Sequence, residues 1–305
     1  MTVLEAIQKS ADFLAKKGVE SPRLQTELLL AHLLKLPRMK LYLNFERTLT
    51  PAETDVLRDL VKRRGQREPL QHITGSTSFC GLEIAVNRHA LVPRPETELL
   101  AELGWQFLST LNSQPSTCLD FGTGTGCIAI ALAVKCSTAK ITAIDDSTDA
   151  LALAKENAVR QKVAERIEFL QGDGFAALTE RRGERPREPG VNVVKNGSPG
   201  VSPHQFDLII SNPPYILSAE IPTLQPEVRD FDPHGALDGG ADGLNFYRLI
   251  ASQAAPFLKP DGKVMLEFGD GQAEAVAKIF ETEKWIVEAV KEDYSHRPRI
   301  LIARC

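Results

Sequence analysis

The chain has 305 residues, of which 43% are hydrophobic and 25% are charged. This composition is typical of a globular protein with enough apolar side chains for a core, and the length favours two domains of unequal size. The formal net charge of −4 argues against a large basic surface for nucleic acid, so we expect no stable nucleic-acid partner.

The sequence lacks the features of membrane and secreted proteins. The apolar run at residues 28–34 is shorter than a membrane span and contains His32. The N-terminus lacks the apolar core of a signal peptide. The five cysteines include no Cys-x-x-Cys pair, which favours free, buried thiols and no metal site. We therefore expect a cytoplasmic protein without membrane association.

Residues 1–70 predict a small helical domain. Apolar residues recur at helical spacing over residues 3–14. Ser21-Pro22 predicts the N-cap and first turn of a second helix, and Thr50-Pro-Ala-Glu53 predicts a capping box for a further one. No cluster of catalytic residue types occurs here. Two interpretations stay open: these helices serve packing alone, or they recognise a partner.

Residues 71–92 change to short β-rich pieces and predict a β-hairpin linker. His72 and His89 fall here without a partner at metal-ligand spacing, so both are interpreted as structural. The next stretch, Pro93-Arg-Pro-Glu-Thr-Glu98, predicts a helix that begins at Pro95 with two carboxylates in its first turn. A rigid loop that positions a ligand, with Arg94 and Glu96, is the alternative interpretation.

From residue 93 to residue 305 strands and helices alternate, which is typical of a largely parallel sheet covered on both faces. Seven strands are predicted, the last two as an antiparallel pair, at residues 117–121, 141–144, 167–170, 206–211, 264–267, 285–290 and 300–303. A helix is expected around residues 245–258. Residues 180–205 are polar, rich in proline and glycine and without periodicity, which predicts a flexible insertion. A basic recruitment loop is the alternative for this segment.

Polar groups follow three successive strands of the predicted sheet. The loop Gly122-Thr-Gly-Thr-Gly126 lies between a strand and a helix, where glycines and a helix N-terminus suit a nucleotide-type cofactor. Asp145 ends the next strand and could accept hydrogen bonds from ribose, or else cap a helix. Asp173 could accept the amine of adenine with Phe175 facing the ring, and a capped loop is the competing interpretation. The three strand ends together favour a ribose–adenine cofactor.

Asn212-Pro-Pro-Tyr215 follows the predicted strand at residues 206–211. Proline has no N–H and biases the preceding residue towards extended backbone, so the carbonyls of Asn212 and Pro213 are free acceptors beside the Asn212 carboxamide. Such a site suits a planar NH2 group, which brings two donors. Alternatively, the prolines simply end the strand and begin a turn.

These motifs together resemble a known family. Leu119-Asp-Phe-Gly-Thr-Gly-Thr-Gly-Cys-Ile-Ala129, Asn212-Pro-Pro-Tyr215 and Pro93-Arg-Pro-Glu-Thr-Glu98 are similar to those of the PrmC/HemK family, the S-adenosylmethionine-dependent glutamine methyltransferases of peptide chain release factors. The resemblance covers the whole chain and includes residues 67–75 and 236–244. Related ribosomal-protein glutamine methyltransferases usually break the Pro93–Glu98 pattern after Pro-Arg.

The resemblance implies a class I methyltransferase-type, Rossmann-like α/β fold, with a seven-stranded, mostly parallel sheet behind the helical domain and the hairpin. It implies S-adenosyl-L-methionine as cofactor, bound by Gly122, Thr123, Gly124, Thr125, Gly126, Asp145, Asp173, Gly174, Phe175 and Asn212. It implies a substrate site formed by Arg94, Glu96, Asn212, Pro213, Pro214 and Tyr215, with Asn212, Pro213 and Tyr215 catalytic. Gly174 stands where relatives often have tryptophan near adenine, so Phe175 is expected to compensate.

The implied reaction is methylation of the side-chain amide nitrogen, N5, of the glutamine in the Gly-Gly-Gln motif of class I release factors, by a monomer. Three alternatives stay open: methylation of an amino group on a DNA or RNA base, methylation of a ribosomal-protein glutamine, and a non-catalytic cofactor-binding module. A nicotinamide dehydrogenase is disfavoured because its glycine spacing differs.

Overall fold

The computed structural model describes residues 1–111, 115–179 and 205–305. Within them the chain forms two compact units. The first comprises residues 1–77, 86–88 and 222–232, and the second comprises residues 78–85, 89–221 and 233–305. The predicted insertion at residues 180–205 lies outside the described residues except for its last position.

The structure places the domain boundary differently from the sequence prediction. The helical unit extends to Thr77, beyond the predicted end at residue 70. It also includes residues 222–232, which follow the Asn-Pro-Pro-Tyr motif and were expected in the methyltransferase domain. Sequence patterns missed this segment because its assignment depends on contacts with residues far away in the chain.

The strands and the longer helices follow one another in the predicted order. The helices are α1 Val3–Lys16, α2 Pro22–Leu34, α3 Arg38–Leu41, α4 Pro51–Gly65, α5 Leu70–Thr74, α6 Pro95–Thr110, α7 Cys127–Lys135, α8 Thr148–Arg160, α9 Ala176–Thr179, α10 Pro226–Arg229, α11 Asn245–Gln253 and α12 Ala273–Thr282. The strands are β1 Ser76–Phe79, β2 Leu82–Ala85, β3 Thr117–Phe121, β4 Lys140–Asp145, β5 Ile167–Gln171, β6 Phe206–Ser211, β7 Leu258–Glu267, β8 Ile286–Glu292 and β9 Pro298–Arg304. None of the helices built from described residues has the length and apolar character needed to cross a bilayer.

Local signals start the helices of the first unit. The predicted capping box is present on α4, where the Thr50 hydroxyl accepts from the backbone N–H of Glu53 and the Glu53 carboxylate accepts from that of Thr50. Ser21 precedes α2 as predicted, but it has a left-handed backbone and makes no side-chain cap bond. Pro22 at the first helical position therefore starts α2 without the expected cap.

Segment 222–232 is anchored to the helices of its own unit by one carboxylate. Glu227 on α10 accepts from Arg64 Nη2 at 2.6 Å and from Arg67 Nη2 at 2.6 Å. Burial alone would raise the pKa of Glu227, but the hydrogen bonds from Arg67 and Arg64 lower it overall. The charged carboxylate therefore clamps the segment onto the end of α4.

The second unit contains a seven-stranded sheet in the order β5-β4-β3-β6-β7-β9-β8. All neighbours are parallel except β9, which pairs antiparallel with β7 and β8. This confirms the predicted sheet, with β7 beginning at Leu258, earlier than expected. The helix predicted through residue 258 instead ends at Gln253 and is followed by a 3-10 turn at residues 255–257.

Alternating side chains of the buried strands supply two cores, one on each face of the sheet. Leu208 and Ile210 of β6 belong to one core, whereas Ile209 belongs to the other. The order of the strands changes direction between β3 and β6, because β4 and β5 lie on one side and β7 lies on the other. In parallel α/β sheets, a ligand crevice forms at such a point, at the carboxyl ends of the strands.

All five cysteines are free thiols, as expected. Cys118, Cys127 and Cys136 are buried, whereas Cys80 is half-buried and Cys305 is exposed. The expectation that all five are packing residues is therefore wrong for Cys305.

Candidate active site

The carboxyl ends of β3 and β6 are joined directly. The Ser211 hydroxyl at the end of β6 donates to the backbone carbonyl of Phe121 at the end of β3, at 2.5 Å. A cleft of about 240 Å³ opens at this edge. Predicted site residues that line it are Gly122, Thr123, Gly124, Thr125, Asp145, Asp173, Gly174, Asn212, Pro213 and Pro214.

The glycine loop is held from below by a fully buried carboxylate that sequence reasoning had not assigned. Asp120 Oδ2 accepts from Thr123 Oγ1 at 2.6 Å and from the backbone N–H of Ala129 at 3.1 Å. Burial raises the pKa of Asp120 to about 7, although these two bonds lower it. Gly122 adopts φ +72, and a Cβ there would meet no atom within 4 Å. The loop backbone therefore presents an open face to the cleft.

Gly126 is the member of the glycine loop that does not line the cleft. It precedes α7 with φ +80, and a Cβ there would lie 3.0 Å from the Cβ of Ala154. Its role in this structure is close packing of the loop against α8, so the expectation of cofactor contact at Gly126 is not supported by its position.

Asp145 lies at the end of β4 and faces the cleft. It accepts from the backbone N–H groups of Gly124 at 2.8 Å and Ser147 at 3.0 Å. Burial raises its pKa, and the two backbone hydrogen bonds oppose that rise. The cap of α8 is Ser147, whose hydroxyl accepts from the N–H of Ala150. The capping role considered for Asp145 therefore belongs to Ser147.

The structure corrects the expectation for Phe175. Its ring is only 3% exposed and stacks on Phe257 with centroids 5.1 Å apart, inside the core. It therefore does not replace an aromatic wall at Gly174. The aromatic side chains that do line the cleft are Phe121, at the end of β3, and Phe246, on α11. Neither was identified from the sequence, because their position depends on the tertiary fold.

The Asn212 carboxamide is held by a hydroxyl on α6. Asn212 Nδ2 donates to Thr97 Oγ1 at 3.0 Å, and the Thr97 side chain is 3% exposed at the cleft wall. Behind it lies Glu267, at the end of β7, which is 2% exposed. Burial raises the pKa of Glu267 to about 7, and hydrogen bonding by Thr97 and the charge of Arg299 work against that rise.

Sequence reasoning missed both Thr97 and Glu267 as site residues. Thr97 lies inside the Pro93–Glu98 motif, where the charged residues attracted the assignment. Glu267 ends the strand beside β6, so the rule that polar groups at neighbouring strand ends meet could have identified it.

Arg94 and Glu96 lie outside the lining of the cleft, and their contact with substrate stays a prediction. Arg94 is half-buried before α6, and Glu96 is exposed in the first turn of that helix. The second acid of the motif, Glu98, accepts from the backbone N–H of Cys80 at 2.9 Å. Glu98 thereby holds the turn of the β-hairpin, so the Pro93–Glu98 motif stabilises the fold in addition to any contact with substrate.

Tyr215 also lies outside the lining, half-buried against the core. Burial, followed by the charge of Glu267, raises its pKa to about 12, so the phenol is neutral at physiological pH. Its backbone carbonyl accepts from Gln272 Nε2 at 3.0 Å. Gly243 packs so closely that a Cβ there would lie 2.4 Å from the same carbonyl. The loop at residues 236–244 therefore holds the motif by its backbone.

The strand order, the glycine loop after β3, the carboxylate after β4 and the asparagine after β6 define the class of the protein. It has the fold and cleft of a class I, S-adenosylmethionine-dependent methyltransferase. Two family descriptions match the chain, the PrmC N-terminal domain at residues 5–75 and the methyltransferase small domain at residues 104–186.

Curated relatives extend this match to most of the chain. A release factor glutamine methyltransferase of Geobacter sulfurreducens is 42% identical over 92% of this chain and 88% of the relative. One of Chlorobaculum tepidum is 41% identical over 90% of this chain and 87% of the relative. The chain belongs to the family of release factor glutamine methyltransferases.

A solved structure of lower identity supports the fold alone. The catalytic domain of hMettl16, in complex with MAT2A 3'UTR hairpin 6, matches with a TM-score of 0.51 and 15% identity. The match covers 80% of this chain and 81% of that chain.

Proposed function

We propose that this protein methylates the N5 amide nitrogen of the glutamine in the Gly-Gly-Gln motif of class I peptide chain release factors. The observation that carries the proposal is the Asn212 carboxamide at the cleft wall, with its NH2 group bonded to Thr97. The oxygen of this carboxamide is a hydrogen-bond acceptor. An acceptor of this kind recognises an NH2 group, and a glutamine side chain offers one.

The cleft residues fit S-adenosyl-L-methionine as the cofactor. Gly122 leaves open space where a side chain would stand, and Asp145 has carboxylate lone pairs beyond those used by Gly124 and Ser147. Asp145 would hold the ribose, Asp173 and Gly174 would lie beside the adenine, and Phe121 and Phe246 would supply its apolar contacts. When bound, the cofactor supplies a methyl group on a positively charged sulfur, and this sulfur is a good leaving group because it departs as a neutral thioether.

The chain's own groups act on the substrate amide. An amide nitrogen is a poor nucleophile because its lone pair is delocalised into the carbonyl. The Asn212 side-chain oxygen and the Pro213 backbone carbonyl would accept its two hydrogens and favour positive charge developing on nitrogen. Preorganised groups of this kind lower the barrier by about 3 kcal/mol. The methylated nitrogen then loses one proton to water, so a general base of shifted pKa is not required.

Tyr215 and the charged residues of the Pro93–Glu98 motif have supporting positions in this proposal. Tyr215 is packed beside Asn212-Pro-Pro with its backbone fixed by Gln272, so we assign it to positioning the acceptors. Arg94 and Glu96 lie outside the cleft lining, and we propose that they contact the protein substrate around the glutamine. We further propose that the protein acts as a cytoplasmic monomer without a stable nucleic-acid partner.

Transfer of labelled methyl from S-adenosyl-L-methionine tests the proposal. The purified protein is incubated with a class I release factor, with the same factor carrying Gln-to-Ala in Gly-Gly-Gln, and with duplex DNA. We expect label on the first substrate only. Label on DNA alone would mean that the cleft accepts a base amino group instead. Cofactor binding without transfer to any substrate would favour the non-catalytic interpretation.

A further inference from the structure

We infer that Thr97 and Glu267 form a positioning pair that fixes which end of the Asn212 carboxamide faces the substrate. The inference rests on the proposed function, because it assigns the orientation of the acceptor that binds the glutamine amide. It adds two residues to the site and gives the Pro93–Glu98 motif a physical role.

The three side chains belong to elements that pack against one another. Thr97 is in the first turn of α6, Asn212 follows β6, and Glu267 ends the adjacent strand β7. The pairing of Ser211 with Leu266 places Asn212 and Glu267 one residue further along neighbouring strands. Both Thr97 and Glu267 are almost fully buried, and buried polar side chains are in most cases hydrogen-bonded to neighbouring groups.

The directions of the hydrogen bonds follow from which groups can donate. When it is ionised, the Glu267 carboxylate can only accept, and both the Thr97 hydroxyl and the Asn212 carboxamide on the neighbouring strand end are within hydrogen-bonding reach of it. With its single proton directed at Glu267, Thr97 can only accept from Asn212. The Asn212 NH2 group must therefore face Thr97, at the observed 3.0 Å, and its oxygen must face away. If the carboxamide were reversed, the Asn212 oxygen and the Glu267 carboxylate would both need the single proton of the Thr97 hydroxyl.

The orientation of the Asn212 carboxamide matters for the reaction. A carboxamide can rotate to present either its oxygen or its NH2 group, and only the oxygen accepts a hydrogen from the glutamine amide. One oxygen of Glu267, Oε2, has no hydrogen-bond partner among the described residues. The pair acts through Asn212 and does not touch substrate.

Turnover of four variants tests the inference. Thr97→Val removes the hydroxyl with little change of shape, and Thr97→Ser retains it. Glu267→Leu removes the acceptor, and Thr142→Val is a matched control at a buried threonine of β4 outside the cleft lining. We expect Thr97→Val and Glu267→Leu each to lower kcat about 10- to 100-fold, since small misplacements of a positioning group have effects of this size. KM should change little, and Thr97→Ser and Thr142→Val should retain wild-type kcat.

The double variant Thr97→Val with Glu267→Leu sharpens the test. If both residues act by orienting one carboxamide, the double variant loses no more kcat than either single variant. Multiplicative losses would contradict the inference, as would wild-type kcat in Thr97→Val or loss of kcat in Thr97→Ser.

A readout without substrate separates this inference from the proposed function. The side-chain NH2 resonances of Asn212, identified by their loss in Asn212→Asp, are recorded by NMR in protein labelled at asparagine. We expect them to shift in Thr97→Val and Glu267→Leu and to stay in place in Thr97→Ser. Unchanged resonances in Thr97→Val would overturn the inference even if the release factor is methylated. Shifted resonances with no methylation by the wild type would leave the orientation supported and the proposed function wrong.

Discussion

At the scale of single residues, the site depends on one carboxamide at the end of β6. Ser211 joins the ends of β3 and β6 through the Phe121 carbonyl, and Thr97 holds the Asn212 NH2 group. Extended backbone before proline sets the direction in which the side chain leaves the strand. Asn212 is therefore fixed by its backbone, its neighbour and its side chain before any substrate arrives.

Asn212→Ala removes the proposed side-chain acceptor. We expect kcat to fall about 100- to 1,000-fold, the size seen when one preorganised group is removed from an active site. Calorimetry should still detect binding of S-adenosylmethionine, because the glycine loop and Asp145 are retained. Loss of cofactor binding together with kcat would contradict a role directed at the substrate.

A dependence of kcat on pH follows from the raised pKa of Glu267, about 7. Below that pH the carboxyl carries a proton and can donate to Thr97, which frees Thr97 to donate to Asn212 and reverse the carboxamide. With saturating cofactor, kcat should therefore fall as the pH drops through about 7. Charged and titratable groups that act on Glu267 or lie beside it are Glu96 on α6, Arg299 on β9, Tyr215 and Tyr247.

Glu267→Gln is the matched variant for the pH profile. Its carboxamide oxygen still accepts from Thr97, so we expect most of kcat to remain at pH 8, and the fall below pH 7 to become shallower. An acid limb that is identical in wild type and Glu267→Gln would assign the titration to another group, such as Asp120, whose pKa is also raised to about 7.

At the scale of elements, the loop at residues 236–244 supports the Asn-Pro-Pro-Tyr motif. The backbone N–H of Ile216 donates to the carbonyl of Leu237 at 3.0 Å, and that of Gly239 donates to the carbonyl of Ile216 at 2.8 Å. These bonds tie residues 236–244 to the chain that follows Asn-Pro-Pro-Tyr. Gly239 and Gly243 occur in this loop because its backbone lies close to the backbone of Tyr215.

Gly243→Ala should be markedly destabilising. Its Cβ would lie 2.4 Å from the Tyr215 carbonyl, and its φ of +73 is unfavourable for alanine. Steric overlap and left-handed backbone together should lower the free energy of unfolding by about 3 kcal/mol. Gly271→Ala is the matched control, because its φ is +77 and a Cβ there meets no atom within 4 Å. Equal shifts of the urea midpoint for both variants would contradict the packing explanation.

The clamp on segment 222–232 gives a second prediction at this scale. Glu227→Gln leaves the Arg64 side chain, which is 4% exposed, without its compensating charge. We expect the free energy of unfolding of the helical unit to fall by about 2 kcal/mol. Faster hydrogen exchange of the backbone amides of α4 and α10 would report this loss. Asp55→Asn, in the exposed pair of Asp55 with Arg58, should have little effect. Similar exchange in the two variants would contradict the clamp.

Sequence patterns predicted the elements better than their ends or their partners. Short apolar runs located β3, β4, β5 and β6 to within one residue, because this signal is local. The extended start of β7 and the early end of α11 depend on pairing and packing with other parts of the chain. The same limit explains the wrong prediction for Phe175. Its aromatic residue type suits a contact with adenine, but the ring packs into the core.

At the scale of the whole molecule, the order of the strands determines which predicted groups meet. Gly122, Asp145 and Asn212 follow three neighbouring strands, so a parallel sheet brings them to one cleft. This much could be predicted from motif position alone. The assignment of residues 222–232 to the helical unit could not, because it depends on Glu227 meeting Arg64 and Arg67 across about half of the chain.

The two compact units suggest separate tasks within the proposed function. Among the residues that the structure describes, all those that line the cleft belong to the second unit. The first unit contains none of them, and whether its helices serve packing alone or recognise the release factor is tested by substrate affinity. Partner recognition predicts that Glu227→Gln raises KM for the release factor, whereas packing alone predicts an unchanged KM.

The most direct test of the central claim is mass spectrometry of a class I release factor after incubation with the protein and S-adenosylmethionine. We predict one added methyl group, located by fragmentation on the side-chain nitrogen of the glutamine in Gly-Gly-Gln, and none with the Asn212→Ala variant. A methyl group on any other residue, or equal methylation by Asn212→Ala, would contradict the account.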